Sequence, residues 1–502
     1  MSSILIIGAG AAGLAAARDL SHAGREVIVL EARDRIGGRI FTHKDPQSPV
    51  PIELGAEFVH GKSPELWHIA QAAHLLLYEV TERHWYFEND KLSKSRDFWK
   101  KIESLMDEMK SSETDRSFKE FLALLPDDEE TRRAKAMAVR YVEGFHAANI
   151  ERIGVHGLIK ANEALDEIDG ARSFRFLNGY DSLVQALRAE AENYGPIIHL
   201  NTYVREIHWR VDKVEVLCEG TGTADSLSAS TQGVRFNASA AIITLPLGVL
   251  QANQDGRDGV RFIPDLPEKT QAAIKQLVMG NVLKVTLRFH ERFWESLKRW
   301  DEDSDTANFA GAAFFHCPDA PFPTWWTQLP LRAPILVGWV GGPGAEGSRQ
   351  KAVGSERGSS PTVREGASVR GTSPTVREGS VRGGGTQTSA GSEANMTQDF
   401  DSLILDQAIT SLARIFNIST DDVCDQLAAS YIHDWQRDPF SRGAYSYVPV
   451  NGLDAQRVLS EPIDNTLFFA GEANSIGHIG TVHGAIHSGQ RAAKEILTLS
   501  RK

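Results

Sequence analysis

Three glycines near the start of the sequence have the spacing that a phosphate-binding turn requires. Ile4–Ile7 is a short apolar run, and a G-x-G-x-x-G pattern follows it at once. In this pattern Gly8 allows a tight turn, Gly10 lets the backbone approach a pyrophosphate, and Gly13 lets helix and strand pack closely. The helix that follows would direct free N–H groups and a positive dipole at the phosphates. A second apolar run then ends at Glu31, which is placed to accept hydrogen bonds from a ribose diol, so the unit predicts dinucleotide binding.

The residues after Glu31 indicate which dinucleotide is bound. Residues 33–39 read R-D-R-I-G-G-R. This stretch resembles the R-x-G-G-R extension of the glutathione-reductase-like flavoproteins, which bind FAD rather than NAD. The resemblance implies that Gly37 and Gly38 let the backbone run close to the cofactor, and that Arg39 offers its charge to a phosphate or to the flavin. The alternative is a surface turn with balanced charges.

A second block makes the resemblance more specific. Residues 53–61 read E-L-G-A-E-F-V-H-G. This resembles a block of the flavin-containing amine oxidases, which include monoamine oxidases, polyamine oxidases and bacterial relatives. The resemblance places His60 near the substrate tunnel, as in the polyamine-oxidising members; the alternative is a packed structural histidine. Glu57 is a candidate contact for a cationic substrate, although an exposed glutamate without such a role is also common.

One lysine stands among alternating apolar residues in the run 279–289, which predicts a strand. A lysine on a strand usually faces solvent. The family resemblance instead implies that Lys284 sits beside flavin N5, bridged by a water. A fixed cation there would stabilise the negative charge that develops as O2 takes electrons from reduced flavin.

The C-terminal blocks complete the family order. Residues 435–447 resemble the family's W-x-x-D-P block, in which Tyr445 matches one wall of an aromatic cage. Monoamine oxidases carry a flavin-linking cysteine where this chain has Ala444, so the resemblance implies non-covalent FAD. The monoamine-oxidase pattern has a second cage tyrosine where this chain has Thr481, which makes a monoamine-oxidase specificity less favoured.

The strand 467–469 leads to Glu472, which the resemblance places at the FAD ribityl chain, and Val204 is placed at the adenine through its backbone. The C-terminal helix opens near residue 480, so its dipole would stabilise anionic reduced flavin. The predicted reaction-centre residues are Lys284, Tyr445, His60 and Thr481. The predicted cofactor residues are Gly8, Gly10, Ala12, Gly13, Glu31, Ala32, Arg33, Gly37, Gly38, Arg39, Gly55, Ala56, Glu57, Val204, Trp435, Gly471, Glu472, Gly480, Thr481 and Val482.

Composition narrows the function classes. With 41% hydrophobic and 24% charged residues, the 502-residue chain is typical of soluble globular proteins and long enough for two or three domains. A net charge of −12 argues against a nucleic-acid partner. The three cysteines are widely spaced and form neither a metal pattern nor a disulfide framework, so we expect a reducing, cytoplasmic location. No apolar run reaches the length of a membrane span.

The order of the blocks implies an α/β fold in which two domains are interleaved. A glutathione-reductase-like FAD-binding Rossmann domain would comprise residues 1–64, 172–262 and 436–502. A substrate domain of mixed sheet plus helices would comprise 65–171 and 263–435. Within it, residues 343–397 lack aromatic residues and repeat S-P-T-V-R-E-G with a thirteen-residue period. Such a stretch buries too little apolar area to offset its ordering entropy, which predicts a disordered insertion.

The resemblance implies oxidation of an amine C–N bond to an imine, with O2 reduced to H2O2. A polyamine is the favoured substrate, from His60, Glu57 and the acidic balance of the chain. A monoamine or an L-amino acid is the alternative, and an amino acid would need a cation facing its carboxylate. From a different class, a non-catalytic flavin-binding interaction module is also open, as is a dehydrogenase that uses another electron acceptor. The oligomeric state is left open.

Overall fold

Short apolar runs of the sequence form strands in the computed structural model of the chain. The structure describes residues 3–88, 91–93, 98–111, 114–220, 233–254, 256, 259–297, 299–301, 304–307, 309–354 and 390–499. The strands are β1 (Ile4–Ile7), β2 (Val27–Leu30), β3 (Thr42–His43), β4 (Ile52–Glu53), β5 (Val59–His60), β6 (Leu77–Glu79), β7 (His84–Glu88), β8 (Lys91–Ser93), β9 (Ser173–Phe176), β10 (Ile197–His199), β11 (Thr202–Arg210), β12 (Lys213–Gly220), β13 (Val234–Ala238), β14 (Ala240–Ile243), β15 (Arg261–Ile263), β16 (Val278–Gly280), β17 (Val282–Phe289), β18 (Arg299–Asp301), β19 (Ser304–Ala307), β20 (Phe314–His316), β21 (Thr324–Trp326), β22 (Ile335–Gly341), β23 (Leu427–Ile432), β24 (Tyr445–Tyr447) and β25 (Leu467–Phe469).

Two helices begin at a serine that forms a capping box. The hydroxyls of Ser117 and Ser419 each accept a hydrogen bond from the backbone N–H three residues on, and their own backbone N–H groups donate to the acidic side chain of that residue. The helices are α1 (Ala11–His22), α2 (Pro64–Ala72), α3 (Phe98–Met106), α4 (Phe118–Leu124), α5 (Glu129–Phe145), α6 (Val155–Glu167), α7 (Asp181–Glu192), α8 (Leu247–Leu250), α9 (Glu268–Gln276), α10 (Gly342–Gly354), α11 (Ala390–Phe416), α12 (Thr420–Gln426), α13 (Leu453–Ser460) and α14 (Val482–Leu499).

A five-stranded parallel sheet carries the glycine turn, in the order β10-β2-β1-β14-β25. All four residues of β1 are buried, as a parallel strand covered on both faces requires. Helices α1, α7 and α14 pack on one face. The antiparallel strands β11–β13 and helices α9 and α13 contribute to the core on the other face. This doubly covered sheet confirms the predicted α/β class.

A seven-stranded mixed sheet forms the second layer, in the order β23-β17-β22-β21-β20-β7-β8. Strand β17 is central to the site, because it carries Lys284 and pairs with β22 and β23. Its apolar residues join an aromatic-rich core with α11. The predicted strand over 279–289 is therefore correct, except that it divides into β16 and β17 at Asn281.

The spacing of apolar residues over 64–174 predicts a mostly helical region, and this prediction is correct only in part. Helices α2 to α5 form where the periodicity placed them, but strands β6, β7 and β8 intervene before α3. The run His84–Glu88 is rich in aromatic residues, which fit the pleated surface of a sheet. It pairs in parallel with β20, a partner some 230 positions away in the chain, which local periodicity does not reveal.

The predicted insertion over 343–397 begins and ends in helix. Helix α10 covers its first residues, and α11 begins at Ala390, before the end of this stretch. Ser348 is buried near Pro321, so α10 packs against the protein despite its glycines. Residues 355–389, which hold both copies of the repeat, lie outside the described residues. The predicted domain boundaries stay predictions.

Among the described residues, no helix combines the length and apolar character needed to cross a membrane.

Candidate active site

One large cavity, of about 1490 Å³, connects the glycine turn to the mixed sheet. Every predicted cofactor residue except Gly13 lines it. The four predicted reaction-centre residues, Lys284, Tyr445, His60 and Thr481, line it as well. The structure thus brings together residues from almost the whole length of the chain.

The three glycines of the turn have different surroundings. Gly8 has φ +108°, which only glycine adopts readily. A Cβ on Gly13 would lie 2.0 Å from the carbonyl oxygen of Gly8, so Gly13 serves helix–strand packing and does not reach the cavity. A Cβ on Gly10 would meet nothing within 4 Å, because Gly10 faces the open cavity. The three roles expected from the motif are therefore separate in space.

The N-terminus of α1 is prepared for an anion. Its N-cap, Gly10, offers no side-chain cap, and no acidic residue stands in the first turn. The chain passes close by again at Gly37, whose N–H donates to Ala9 O at 2.9 Å. The amides of this turn meet the cavity with the positive end of the helix dipole, which suits a phosphate group.

Glu31 is buried at the end of β2. Its Oε2 accepts from Ala9 N at 2.7 Å and its Oε1 from Arg33 N at 3.0 Å. Burial raises the pKa of Glu31, against the opposing effect of the two backbone N–H groups and of Arg33. The carboxylate therefore fixes the turn itself, and its remaining lone pairs face the cavity.

Arg33 links the start of the chain to the 435–447 block. Its Nη2 lies 2.5 Å from Asp438 Oδ1 and donates to Ser441 Oγ at 3.1 Å, with both charged side chains 3% exposed. Burial acts to raise the pKa of Asp438, but His433 and Arg33 outweigh it and hold that pKa at about 2. The guanidinium of Arg33 is thus engaged by protein, although the residue also lines the cavity.

Glu472 joins three segments around one buried carboxylate. Arg39 Nη1 donates to its Oε1 at 2.8 Å, and Ser446 Oγ donates to the same oxygen at 2.8 Å. Gly480 N donates to its Oε2 at 3.0 Å. The same Arg39 nitrogen donates to Ala444 O at 2.8 Å. Glu472 therefore holds the segments around the cavity in place, in addition to any contact with the cofactor.

Lys284 does not face solvent. Its Nζ lies 2.7 Å from Glu57 Oε2 and donates to Gly55 O at 3.2 Å. Arg175 Nη2 forms an ion pair with Glu57 Oε1 at 3.0 Å, and the Trp326 indole N–H donates a hydrogen bond to the same oxygen at 2.8 Å. Burial acts to raise the pKa of Glu57, but Lys284 and Arg175 outweigh it and lower that pKa. The expectation that Glu57 contacts a cationic substrate is corrected, because protein cations already occupy its carboxylate.

Tyr445 forms an aromatic wall with a residue that the sequence did not indicate. Its hydroxyl donates to Phe145 O at 2.8 Å, and burial raises the pKa of the phenol. Trp339 lies nearly parallel to it, with ring centroids 6.5 Å apart and an interplanar angle of 19°. Trp339 is the cross-strand partner of Lys284. Only the strand register could have revealed this wall, and a single sequence does not give the register.

Thr481 has a structural task at the start of α14. Its Oγ1 accepts from Gly484 N at 3.0 Å and donates to His478 O at 2.7 Å. The hydroxyl is therefore used as a helix cap. Thr481 lines the cavity, but this arrangement gives no support to a role for its hydroxyl in the reaction.

Two partly buried histidines, His60 and His146, line the cavity. Burial lowers the pKa of His60 to about 4, with an opposing effect of Glu82, and burial lowers the pKa of His146 to about 4. His60 Nδ1 lies 3.4 Å from Ser173 Oγ, and its ring packs edge-on against Phe145. Both imidazoles are neutral at neutral pH, so His60 adds no cationic charge to the substrate space.

Comparison with known proteins identifies the family. The family model described as flavin containing amine oxidoreductase matches residues 11–354 and 349–497. The chain belongs to this family. It is therefore an oxidoreductase that acts on amines with a flavin cofactor, and the predicted resemblance is confirmed.

The relatives differ in length and activity. The chain is 27% identical to Probable polyamine oxidase 4 of Arabidopsis thaliana, over 98% of this chain and 86% of that protein. It is 27% identical to Lysine-specific histone demethylase 2 of Homo sapiens, but covers only 53% of its length. A putrescine oxidase bound to putrescine shares the fold, with TM-score 0.70, 19% identity and 99% coverage of both chains. Cyclohexylamine oxidase from Brevibacterium oxydans does so with TM-score 0.68, 18% identity and 100% coverage of both chains.

The cavity fits FAD, the predicted cofactor. The uncapped helix end at Gly10 suits the pyrophosphate, and Glu31 lines the same cavity, where it could accept hydrogen bonds from the ribose. None of the cavity-lining residues is a cysteine: Cys218 and Cys317 are buried elsewhere and Cys424 is exposed. FAD is therefore held without a bond to cysteine, in agreement with the prediction from Ala444.

The glycine geometry yields a matched pair of variants. Gly13→Ala should destabilise the fold by about 1–3 kcal/mol, because the added methyl overlaps a backbone oxygen. Gly10→Ala should fold normally but weaken FAD binding about tenfold or more, because its methyl enters the space for the phosphates. Urea unfolding and fluorescence titration with FAD measure the two effects. Equal FAD affinity in Gly10→Ala and the unsubstituted protein would contradict the assignment of the phosphate site.

The lowered pKa of His146 predicts that the stability of the protein depends on pH. Because the pKa of His146 is lowered to about 4, its neutral form contributes stability that is complete above the unfolded pKa of about 6.5 and lost as the pH falls toward 4. His146 Nε2 is buried without a hydrogen-bond partner, so His146→Leu removes no hydrogen bond at that atom. This variant should flatten the fall in unfolding free energy between pH 7 and 5 by roughly 1–2 kcal/mol. The exposed His68→Gln is the control, and an unchanged slope in His146→Leu would refute the assignment.

Proposed function

We propose that the protein is an FAD-dependent polyamine oxidase that converts a C–N bond to an imine and reduces O2 to H2O2. The observation that carries the substrate class is the charge of the cavity wall away from the cofactor residues. Two basic side chains, Arg140 and Lys351, line this part of the cavity. Six carboxylates line it: Glu82, Glu103, Asp107, Glu143, Asp166 and Asp319. This excess of negative charge favours a substrate with more than one ammonium group.

Glu143 is the carboxylate best placed for such an ammonium group. It lies at the C-terminal end of α5, next to Gly144, whose carbonyl receives the Trp339 indole N–H at 2.9 Å. Phe145, two residues on, receives the Tyr445 hydroxyl. The end of α5 is thus tied to the aromatic wall. Burial raises the pKa of Glu143, and no other group contributes to the shift.

The reaction centre lies where the aromatic wall meets Lys284. FAD held by the cavity residues would supply the redox chemistry, namely hydride acceptance from the carbon next to nitrogen and reduction of O2. Tyr445, held neutral and fixed by Phe145, presents its ring to the substrate nitrogen. His60 is neutral and can accept a hydrogen bond. Lys284 provides a fixed cation for the step in which O2 becomes negatively charged.

Relatives and neighbours support an amine substrate, and two of those named above carry polyamine or putrescine in their names. A monoamine would use the same aromatic wall but would bring no second ammonium group to the acidic part of the cavity. For an L-amino acid, Arg140 is the cation at hand, although it is exposed. A non-catalytic flavin module would show no turnover with any amine.

The charge argument predicts the effect of Glu143→Gln. The KM for spermidine should rise about tenfold, because the lost contact between the Glu143 carboxylate and a substrate ammonium group is worth about 1.4 kcal/mol. The KM for benzylamine, which has a single nitrogen, should stay within about twofold. Oxygen consumption and peroxide formation measure both. The exposed Glu103→Gln is the control for charge at the rim.

Two different results of these kinetic measurements would contradict the proposal. Equal KM changes for both amines would remove Glu143 as the site of the second ammonium. Turnover of benzylamine or an L-amino acid without turnover of spermidine, spermine or putrescine would overturn the polyamine assignment.

A further inference from the structure

Glu57 stands between two buried cations. Its carboxylate faces Lys284 at 2.7 Å through one oxygen and Arg175 at 3.0 Å through the other. All three side chains are at most 5% exposed. Because water is excluded, these charges act on one another far more strongly than a surface pair would.

The contacts around Glu57 come from three strands. Lys284 lies on β17, Arg175 on β9 and Trp326 on β21. The Trp326 indole N–H donates to Glu57, and its ring lies 5.9 Å from Lys284 Nζ. Arg175 is fixed further by Phe58, whose ring lies 4.5 Å from the guanidinium carbon. The carboxylate therefore has no freedom to turn elsewhere.

This arrangement fixes the direction of the lysine. An ammonium group has three N–H donors. Glu57 and the Gly55 carbonyl account for two of them. Lys284 also lines the cavity, so the third donor is available on that side. Two cations thus share the one carboxylate of Glu57. Glu53 lies near enough to interact with Lys284 and Glu57, but burial raises its pKa to about 7, which weakens its negative charge.

We propose that Glu57 is a positioning residue for the O2 half-reaction, which aims Lys284 at the cavity while Arg175 keeps the group cationic. This rests on the proposed function, in which Lys284 serves reoxidation. Without Glu57, two like charges would be buried side by side, and Lys284 would turn away from its present direction. A purely structural ion pair would instead affect stability with no selective effect on reoxidation.

The test is a double-mutant cycle with Glu57→Gln and Lys284→Met. Stopped-flow mixing of the reduced holoenzyme with O2 measures reoxidation, and anaerobic mixing with spermidine measures flavin reduction. Lys284→Met should slow reoxidation at least about tenfold with little effect on reduction. Glu57→Gln should slow it about three- to tenfold, but should add less than about twofold in the Lys284→Met background, because it acts through the lysine.

A spectroscopic readout tests positioning without turnover. The visible circular dichroism of bound flavin should change in Glu57→Gln and should not change further when Lys284 is already methionine. Glu295→Gln is the matched control, since Glu295 also pairs with two arginines, Arg292 and Arg332, but does not line the cavity. It should leave both the spectrum and reoxidation unchanged.

The possible results distinguish the role proposed for Lys284 from the positioning role proposed for Glu57. Wild-type reoxidation in Lys284→Met would overturn the proposed role of the lysine itself. Slow reoxidation in Lys284→Met with an equal additional loss from Glu57→Gln in both backgrounds would overturn the positioning role alone, as would a normal rate in Glu57→Gln. If Glu57→Gln does not fold, Trp326→Phe removes one hydrogen bond to Glu57 and should slow reoxidation about two- to threefold, again only when Lys284 is present; no such loss would refute the proposal.

Discussion

Buried charges that must be paired hold this structure together at its cavity. Arg33 pairs with Asp438, Arg39 with Glu472, and Lys284 with Glu57. In each pair the partners are far apart in sequence, so each pair joins distant parts of the chain. Removing one partner from such a pair leaves an uncompensated buried charge, which typically costs 3–5 kcal/mol. The pairs therefore specify where the segments meet, whatever their net contribution to stability.

Different parts of the cavity wall carry different charges. Near the glycine turn, the open helix end at Gly10 favours anionic groups. Toward the mouth, acidic side chains such as Glu103 and Asp107 favour cations. The aromatic pair Tyr445 and Trp339 lines the same cavity. One continuous space can therefore bind an anionic dinucleotide at one end and a cationic substrate at the other.

The sequence was informative where a function needs a fixed local pattern. The glycine turn and Glu31 could be predicted because their spacing is set by backbone geometry within one strand–turn–helix–strand unit. The FAD-type block around Gly37 was identified by its resemblance to known flavoproteins. Lys284 could be placed only by family resemblance, since strand periodicity alone would have left it in solvent. Its partner Glu57 was visible but was given a different role, because the sequence does not show which distant cation fills a carboxylate.

What could not be predicted depends on contacts between distant segments. Trp339 stands opposite Lys284 through the register of β17 and β22. Arg175 reaches Glu57 from β9, which pairs with β5 just after Glu57 although the two strands are far apart in the sequence. Strand β7 was read as part of a helical region for the same reason. Helix α10 has a composition that favours disorder, yet tertiary packing around Ser348 stabilises it. Local propensity is a weak guide wherever such packing decides the outcome.

In the proposed reaction, an amine with more than one ammonium group transfers its electrons directly to the flavin bound in this cavity. Anaerobic mixing of the holoenzyme with spermidine, while the flavin absorption band is followed, tests this without any involvement of O2. We expect spermidine to bleach the flavin absorption band rapidly and completely, and benzylamine at the same concentration to bleach it much less. Bleaching by benzylamine or an L-amino acid alone, or by no amine at all, would contradict the proposed reaction.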